Sequence, residues 1–268
     1  MSLKHVLVAG LLAGVSTGAA AEVMPLAEAA KRFGMRESAW QADLSPSGRK
    51  IVYLAPGAGP QTIAKVLDLD TNKTVNLIGS DGKPDKLDWC EFATETQLIC
   101  RYSGNGNYDG VLVGFSRLAT LSLTGSEVKS LASRQSSSDL YLRQNDGAVL
   151  DWLPDEEGSV LMARTYVPKV LNSASNIKND RHGLGVDKVD LSTMKSKAVE
   201  PARKEASRYM TDGRGVVRIM GLAQTDGAGQ LTGRTLYRYR RSAGSDWETL
   251  GEHQTQTDAG IWPLAIEN

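Results

Sequence analysis

A unit of short strands and polar turns repeats along this chain from Trp40 to the C-terminus. The first half of each unit reads as a strand, a polar turn and a second strand, and the second half reads as a tighter hairpin. The first half begins near Asp43, Leu87, Leu150 and Arg208, and the second half begins near Val66, Leu121, Val189 and Leu236. Segments between turns are short and alternate with a period near two, which indicates strands and not helices.

A repeat of roughly 50 to 65 residues with four short strands is typical of a β-propeller blade. Each blade has apolar faces that neighbouring blades must cover. The sequence therefore predicts an all-β fold, a partial and open β-propeller of about four four-stranded blades in residues 40–268. A further blade should start near Gly260. A propeller on its own more often binds a partner or controls access to a site than catalyses a reaction.

The N-terminus has the pattern of an export signal. A short basic start precedes an apolar run from Val6 to Val15, and the small residues Ala19, Ala20 and Ala21 form a cleavage motif. We therefore predict a signal peptide in residues 1–21, a cut after Ala21, and a periplasmic or secreted product. A retained N-terminal anchor is the alternative, although the apolar run is short of the roughly 20 residues of a spanning helix. Residues 22–39 are predicted to form a linker with a short helix.

The charge balance argues against nucleic acid as a partner. Lysine and arginine total 31, and aspartate and glutamate also total 31, so the chain lacks the basic field that binds phosphate backbones. Arg238, Arg240 and Arg241 form a local basic cluster on an alternating strand. We interpret them as a solvated blade edge and not as a phosphate-binding patch.

Cys90 and Cys100 are the two cysteines of the chain and flank one hairpin. If residues 94–96 form the turn, the two cysteines face each other at a separation that a disulfide can bridge. An oxidising compartment favours a structural disulfide. Two buried free thiols are the alternative. A zinc site is not expected, because no histidine lies near the pair and two thiolates do not complete the zinc shell.

No reactive constellation emerges from the sequence. Ser116 lies in a string that lacks the second glycine of a nucleophile elbow, so it is expected to be an ordinary strand residue. His182 lies in a polar loop and His253 follows a hairpin, and neither is expected to serve a catalytic triad. We predict no catalytic residue, no cofactor and no metal site in this chain.

Two acidic groups of the sequence have some features of ligand sites. Asp68, Asp70 and Asn72 resemble the start of a calcium loop, but Lys73 replaces the required glycine. A hairpin turn is the better interpretation. The cluster at residues 155–157 could hold a peptide amine, but it falls where the repeat requires a turn, and we interpret it as solvated.

Several strings of the repeat resemble a known family. They are similar to the N-terminal propeller of exported bacterial serine peptidases of the prolyl oligopeptidase type, the dipeptidyl and acylaminoacyl peptidases. Ser47 departs from the usual Ser-Pro-Asp-Gly turn, where aspartate stands at that position. The similar strings are Asp43–Gly48, Trp89–Cys90 with Leu98–Cys100, Gly185–Leu191, Arg208–Gly215 and Tyr237–Arg240.

In that family the propeller covers a C-terminal α/β-hydrolase domain that carries the Ser-Asp-His triad, and it admits only short peptides. None of the family's catalytic residues has a counterpart here. The resemblance therefore implies a non-catalytic, substrate-gating propeller, truncated before the hydrolase domain, which alone would be inactive and could self-associate through exposed blade edges. A free-standing exported propeller that binds or scaffolds a partner is the alternative, and an enzyme with a site at the propeller mouth is the third.

Overall fold

The computed structural model describes residues 24–124, 127–132, 136–156, 158–169 and 181–266. The predicted signal peptide in residues 1–21 lies outside these ranges. The chain divides into two compact units, Met1–Arg36 and Glu37–Asn268. Within the described ranges, no helix has the length and apolarity needed to cross a membrane.

The first unit contains the single helix of the described chain, α1 (Leu26–Phe33), which lies inside the predicted 22–39 linker. Pro25 precedes its first turn, where a missing N–H is not costly. Glu28 and Arg32 form an ion pair one turn apart. The side chains of Leu26 and Phe33 are exposed.

The second unit is built of four antiparallel sheets, each of which follows the order of the chain. The first sheet contains β1 (Trp40–Leu44), β2 (Lys50–Pro56), β3 (Thr62–Asp68) and β4 (Lys73–Ser80). The second contains β5 (Asp85–Phe92), β6 (Gln97–Tyr108), β7 (Val111–Ser122) and β8 (Val128–Ser130). The third contains β9 (Ala148–Asp151), β10 (Ser159–Tyr166), β11 (Gly183–Asp190) and β12 (Ser196–Arg203). The fourth contains β13 (Ala206–Thr211), β14 (Val217–Thr225), β15 (Leu231–Tyr239), β16 (Glu248–Gln254) and β17 (Ala259–Gly260).

These sheets confirm the predicted repeat. The first half of each unit forms the first two strands of one sheet, and the second half forms the next two. The turns after β1 and β13 place Gly48 and Gly213 at φ of 72° and 71°. Glycine adopts this left-handed conformation without a steric cost, which explains why the turn motif contains it.

Apolar cores lie between consecutive sheets. Neighbouring residues of a strand point to opposite faces, so Leu98 belongs to the core shared with the first sheet, whereas Ile99 belongs to the core shared with the third. On the third sheet, Val160 belongs to the core shared with the second sheet, and Leu161 belongs to the core shared with the fourth. No buried cluster of the described residues joins the fourth sheet to the first. The arrangement is an open β-propeller, as predicted.

One aspartate connects the sheets at each of the three junctions. The Asp43 carboxylate of the first sheet accepts a hydrogen bond from the backbone N–H of Phe92 at 2.8 Å. At the next junction Asp146, just before β9, accepts one from Leu118 at 3.1 Å. Asp151 at the end of β9 then accepts one from Gly215 at 2.9 Å. Polar contacts thus fix the positions of the sheets that the apolar cores hold together.

The predicted disulfide is present and lies within the second sheet. Cys90 of β5 and Cys100 of β6 are direct partners in the strand register, with 4.1 Å between their Cα atoms. Both side chains are buried in the core shared with the first sheet. The bond therefore closes the hairpin next to the junction of the first two sheets.

The C-terminal segment differs from the sequence expectation. Near Gly260 the sequence predicts the start of another blade, but β17 instead adds a fifth strand to the fourth sheet. Residues 261–266 then continue without forming a strand. The Trp262 ring lies against the rings of Tyr237 and His253, at centroid distances of 6.1 and 4.9 Å. The segment therefore covers part of the face that a following blade would cover.

Candidate binding cavity

The first strands of the sheets border a large cavity, which we call the inner-strand cavity. Its volume is about 1060 Å³, and it is lined by residues of β5, β9 and β13 together with Leu264, Ala265 and Ile266. The cavity faces three of the four sheets. The repeat thus places three equivalent strands around one space, and side chains distant in sequence meet there.

Aromatic and charged side chains share the wall of this cavity. Trp89 of β5 and Trp152, which follows β9, supply indole surface. Arg101 and Arg208 supply guanidinium groups, and Glu91 supplies a carboxylate. Cavities with apolar walls and a few polar groups are the usual form of small-molecule and peptide sites.

Two of these cations are held in place by neighbours. The Arg101 Nε atom lies 3.7 Å from the carboxylate of Asp88. The Arg208 guanidinium stacks over the Trp262 ring at 5.0 Å, a cation–π contact. Because such contacts fix orientation, both guanidinium groups are partly preorganised at the cavity wall.

Glu91 is a carboxyl group of the cavity whose ionisation is perturbed by its surroundings. Its partial burial raises the pKa of this carboxyl above the usual value, and the negative charge of Asp43 raises it further. A cationic ligand group beside this carboxyl would stabilise its ionised form and lower its pKa again. Glu91 is therefore suited to contact an amine.

The candidate catalytic residues have separate partners. Ser116 on β7 is buried, and its Oγ donates to Asn145 Oδ1 at 2.7 Å. The His253 Nε2 atom on β16 lies 2.9 Å from Asp258 Oδ1. The His182 ring lies near the Tyr141 ring at a centroid distance of 6.3 Å. These contacts give no nucleophile–base pair of the kind a triad requires.

The acidic hairpin uses its carboxylates within the first sheet. Asp68 Oδ1 accepts hydrogen bonds from the N–H and hydroxyl of Thr71, both at 2.8 Å, and these bonds lower the pKa of Asp68. The Asp70 carboxylate pairs with Arg49 at 2.6 Å. The described residues contain no group of three His, Cys, Asp or Glu side chains that could hold a metal ion.

The acidic turn after Pro154 is only partly described. Glu156 forms an ion pair with Lys188 of β11 and is exposed. Glu157 lies outside the described residues. The interpretation of this cluster as a solvated turn agrees with what is seen of Asp155 and Glu156, which are both exposed.

The interpretation of the basic cluster as a solvated edge is wrong for Arg240. This side chain is buried, its Nε donates to the Val217 carbonyl at 2.6 Å, and it pairs with Glu200 of β12 at 2.5 Å. It also stacks over Trp247 at 4.7 Å. Arg240 lies on the face of the fourth sheet that packs against the third, which the alternation along one strand does not reveal. Arg238 is half-buried. Arg241 is exposed, as expected.

The sequence reasoning missed the inner-strand cavity itself. Trp89 and Glu91 lie on the first strand of the second unit, and Tyr209 and Met210 lie on the first strand of the fourth. Aligning these first strands with one another could have grouped them. The sequence does not show that the strands border one space, because that depends on how the sheets are arranged.

Comparison with known proteins gives distant structural similarity only. No family model and no curated protein matches the sequence. An oligogalacturonate lyase from Vibrio parahaemolyticus is 10% identical with a TM-score of 0.47, over 81% of this chain and 55% of that one. The β-propeller domain of the Trilobed protease from Pyrococcus furiosus is 11% identical with a TM-score of 0.42, over 80% and 57%. The acylaminoacyl peptidase of Pyrococcus horikoshii is 10% identical with a TM-score of 0.40, over 76% and 36%.

The chain spans about half the length of the lyases and of the protease domain that it matches. These similarities are too distant to assign a function. The description as an open propeller depends on the chain's own four sheets and on the cores between them.

Proposed function

We propose that this chain is the non-catalytic, peptide-gating propeller of an exported serine peptidase of the prolyl oligopeptidase type. The resemblance of its repeat strings to that family supports the proposal. The observation that carries it is the inner-strand cavity of about 1060 Å³, bordered by the first strands of three sheets. In this role the propeller admits short peptides and the hydrolysis takes place on a separate domain.

The cavity has the size and chemistry that a short peptide requires. Its volume of about 1060 Å³ slightly exceeds the roughly 300–1,000 Å³ typical of small-molecule sites, which leaves room for a short peptide. Trp89 and Trp152 offer flat apolar surface to peptide side chains, and Glu91 offers a carboxylate to a peptide amine. Arg101 and Arg208 offer donors to a peptide carboxylate.

Peptide binding tests this proposal directly. Fluorescently labelled peptides of two to six residues are titrated into the purified chain, and anisotropy is measured. We expect saturable binding that the substitution Trp89→Ala weakens at least tenfold, because it removes one aromatic wall. The matched control is Tyr108→Ala, which removes an exposed ring on β6 away from the cavity lining.

Binding that is absent, or equal in both variants, would count against a peptide-gating role. The non-catalytic part is tested by turnover of peptidyl-nitroanilides. Turnover by the chain alone that a serine-directed phosphonate abolishes would overturn it.

Export to the periplasm is part of the same proposal. The buried Cys90–Cys100 disulfide is typical of an oxidising compartment outside the cytoplasm. N-terminal sequencing of the protein recovered from a periplasmic extract is expected to begin at Glu22. A chain that retains residues 1–21 and stays with the membrane would favour the anchor instead.

A free-standing binding or scaffold protein is the second candidate, and one observation favours it. Residues 261–266 cover part of the outer face of the fourth sheet, with Trp262 against Tyr237 and His253. This cover reduces the apolar surface that the fourth sheet exposes. A monodisperse, cooperatively melting monomer that captures one defined periplasmic partner would favour this function, whereas self-association through exposed blade edges would favour the first.

A further inference from the structure

A second cavity of about 750 Å³ lies at the junction of the second and third sheets. We call it the junction cavity. It shares no lining residue with the inner-strand cavity. Its walls come from β7, β8 and β10, from the segment that leads into β9, and from the β11–β12 turn.

Four cationic side chains line the junction cavity, and they come from four separate segments. Arg117 lies on β7, Lys129 on β8, Arg143 before β9, and Arg164 on β10. The side chains of Arg164 and Arg143 are only 9% and 11% exposed. Those of Arg117 and Lys129 are 38% and 35% exposed and form the more open side.

The buried Arg164 guanidinium is only partly satisfied by the protein. One terminal nitrogen donates to the Leu131 carbonyl at 2.7 Å, and the other lies 3.4 Å from Asp187 Oδ2. The Tyr166 hydroxyl also donates to that oxygen. Within the described ranges Arg164 Nε has no acceptor. Buried guanidinium donors ordinarily have acceptors, so the protein contacts leave Arg164 with one unsatisfied donor.

Each of the four cations has a carboxylate neighbour, including Glu127 beside Lys129 at 3.3 Å, but three of the four carboxylates lie outside the lining. Asp146 is the one acidic residue of the lining. It accepts a hydrogen bond from Leu118 N–H and lies 3.8 Å from Arg117, and burial raises the pKa of its carboxyl. Asp139 pairs with Arg143, and Asp187 pairs with Arg164. Neither aspartate lines the cavity.

We propose that the junction cavity binds a small oxyanion of the phosphate or phosphomonoester class. Planar guanidinium forks match the oxygens of phosphate. Cations that converge from several segments suit a tetrahedral, multiply charged group better than one flat carboxylate. The hydroxyls of Ser130 and Ser196 also line the cavity and can donate to further oxygens. Such an anion would link the second sheet to the third.

Thermal unfolding in the presence of inorganic phosphate tests the proposal. The purified chain is heated in 0–20 mM sodium phosphate, with sodium chloride added to hold ionic strength constant. A ligand that binds only the folded state raises Tm with its concentration. We expect a saturable rise with phosphate, confirmed by line broadening of the ³¹P signal.

Variants locate the site. The double substitution R117Q/K129Q removes two partly exposed cations and is expected to weaken the apparent phosphate affinity at least tenfold. Cooperative unfolding of the variant without phosphate checks that it still folds. Arg164→Lys keeps the charge but removes the planar fork, and it should also weaken binding. The matched control Lys73→Gln removes an exposed cation on the first sheet and should leave the affinity unchanged.

Three results would overturn the proposal. One is a Tm rise that chloride at equal ionic strength reproduces. Another is the same phosphate affinity in R117Q/K129Q as in the unaltered chain. The third is a larger response to succinate than to phosphate, which would assign the cavity to dicarboxylates. Peptide binding at the inner-strand cavity is read separately by anisotropy, so either proposal can fail alone.

Discussion

The carboxylate of Asp151 accepts a hydrogen bond from the backbone N–H of Gly215, at 2.9 Å, across the junction of the third and fourth sheets. Asp151 is buried and also accepts one from the N–H of Leu153 at 3.1 Å. One side chain therefore satisfies two backbone donors, and it fixes the turn that precedes β14 against the end of β9. Asp43 and Asp146 make comparable contacts at the other two junctions.

Replacement of Asp151 by alanine is expected to destabilise the fold. It leaves two backbone donors without acceptors, at a cost of about 1–3 kcal/mol each when they are buried. Because Gly215 is only half-buried, we expect the free energy of unfolding in urea to fall by about 2–4 kcal/mol. Asp155→Ala, at an exposed turn nearby, is the control and should change it little. Equal effects of the two substitutions would show that the junction contact is unimportant.

Loss of the disulfide is expected to lower stability by a comparable amount. The bond closes a loop with a sequence separation of 10. A loop of that length restricts the unfolded chain by about 2–3 kcal/mol. The double substitution Cys90→Ala and Cys100→Ala should lower the urea midpoint accordingly. Dithiothreitol should lower the midpoint of the unaltered chain but not that of the double variant, and a response in both would point to another cause.

Removal of the Trp262 ring is expected to uncover the fourth sheet. The ring contacts Tyr237 and His253, both of which are otherwise buried. Trp262→Ala should increase the fluorescence of bound ANS and promote association in sizing chromatography, because it exposes apolar surface. The free energy of unfolding should fall by roughly 1–2 kcal/mol, since the indole is 51% exposed. Leu231→Ala, at a side chain that is 74% exposed, should have neither effect.

The ionisation of Glu91 is expected to make stability fall as pH rises. Burial and the charge of Asp43 raise its pKa in the folded chain above the ordinary 4.5. At pH values between 4.5 and the raised pKa, the folded chain binds more protons than the unfolded chain. The contribution of Glu91 to stability therefore declines with increasing pH. Glu91→Gln removes that contribution. The stability of the variant relative to the unaltered chain should therefore increase from pH 4 to pH 7 in urea titrations.

Asp190 provides the control of opposite sign. Hydrogen bonds from Thr193 and Ser192 lower the pKa of Asp190 from 3.8 to about 2. Its contribution is present above pH 3.8 and is lost as the pH falls toward 2. Asp190→Asn should therefore reduce stability at neutral pH and have less effect near pH 2. If the relative stability of both variants changed in the same direction with pH, the expected effect of Glu91 on stability would be contradicted.

The repeat could be read from sequence because its signals are local. Turn motifs such as Asp43–Gly48 and Asp212–Gly215 mark the ends of short alternating strands, and each of them falls between the first two strands of a sheet. The pairing of Cys90 with Cys100 follows from the length of one hairpin. Arg240 shows the limit of the method, because its burial depends on Glu200 in the neighbouring sheet.

Local periodicity and turn chemistry determined the all-β class, the four units and the disulfide hairpin, since residues close in the chain decide all of these. Only the tertiary structure decided which residues line the two cavities and what covers the fourth sheet. Trp89 and Tyr209, or Arg117 and Arg164, are far apart in sequence, and they share a cavity because whole sheets pack face to face. That packing depends on how side chains of two sheets fit together, which an alternation pattern along one strand does not specify.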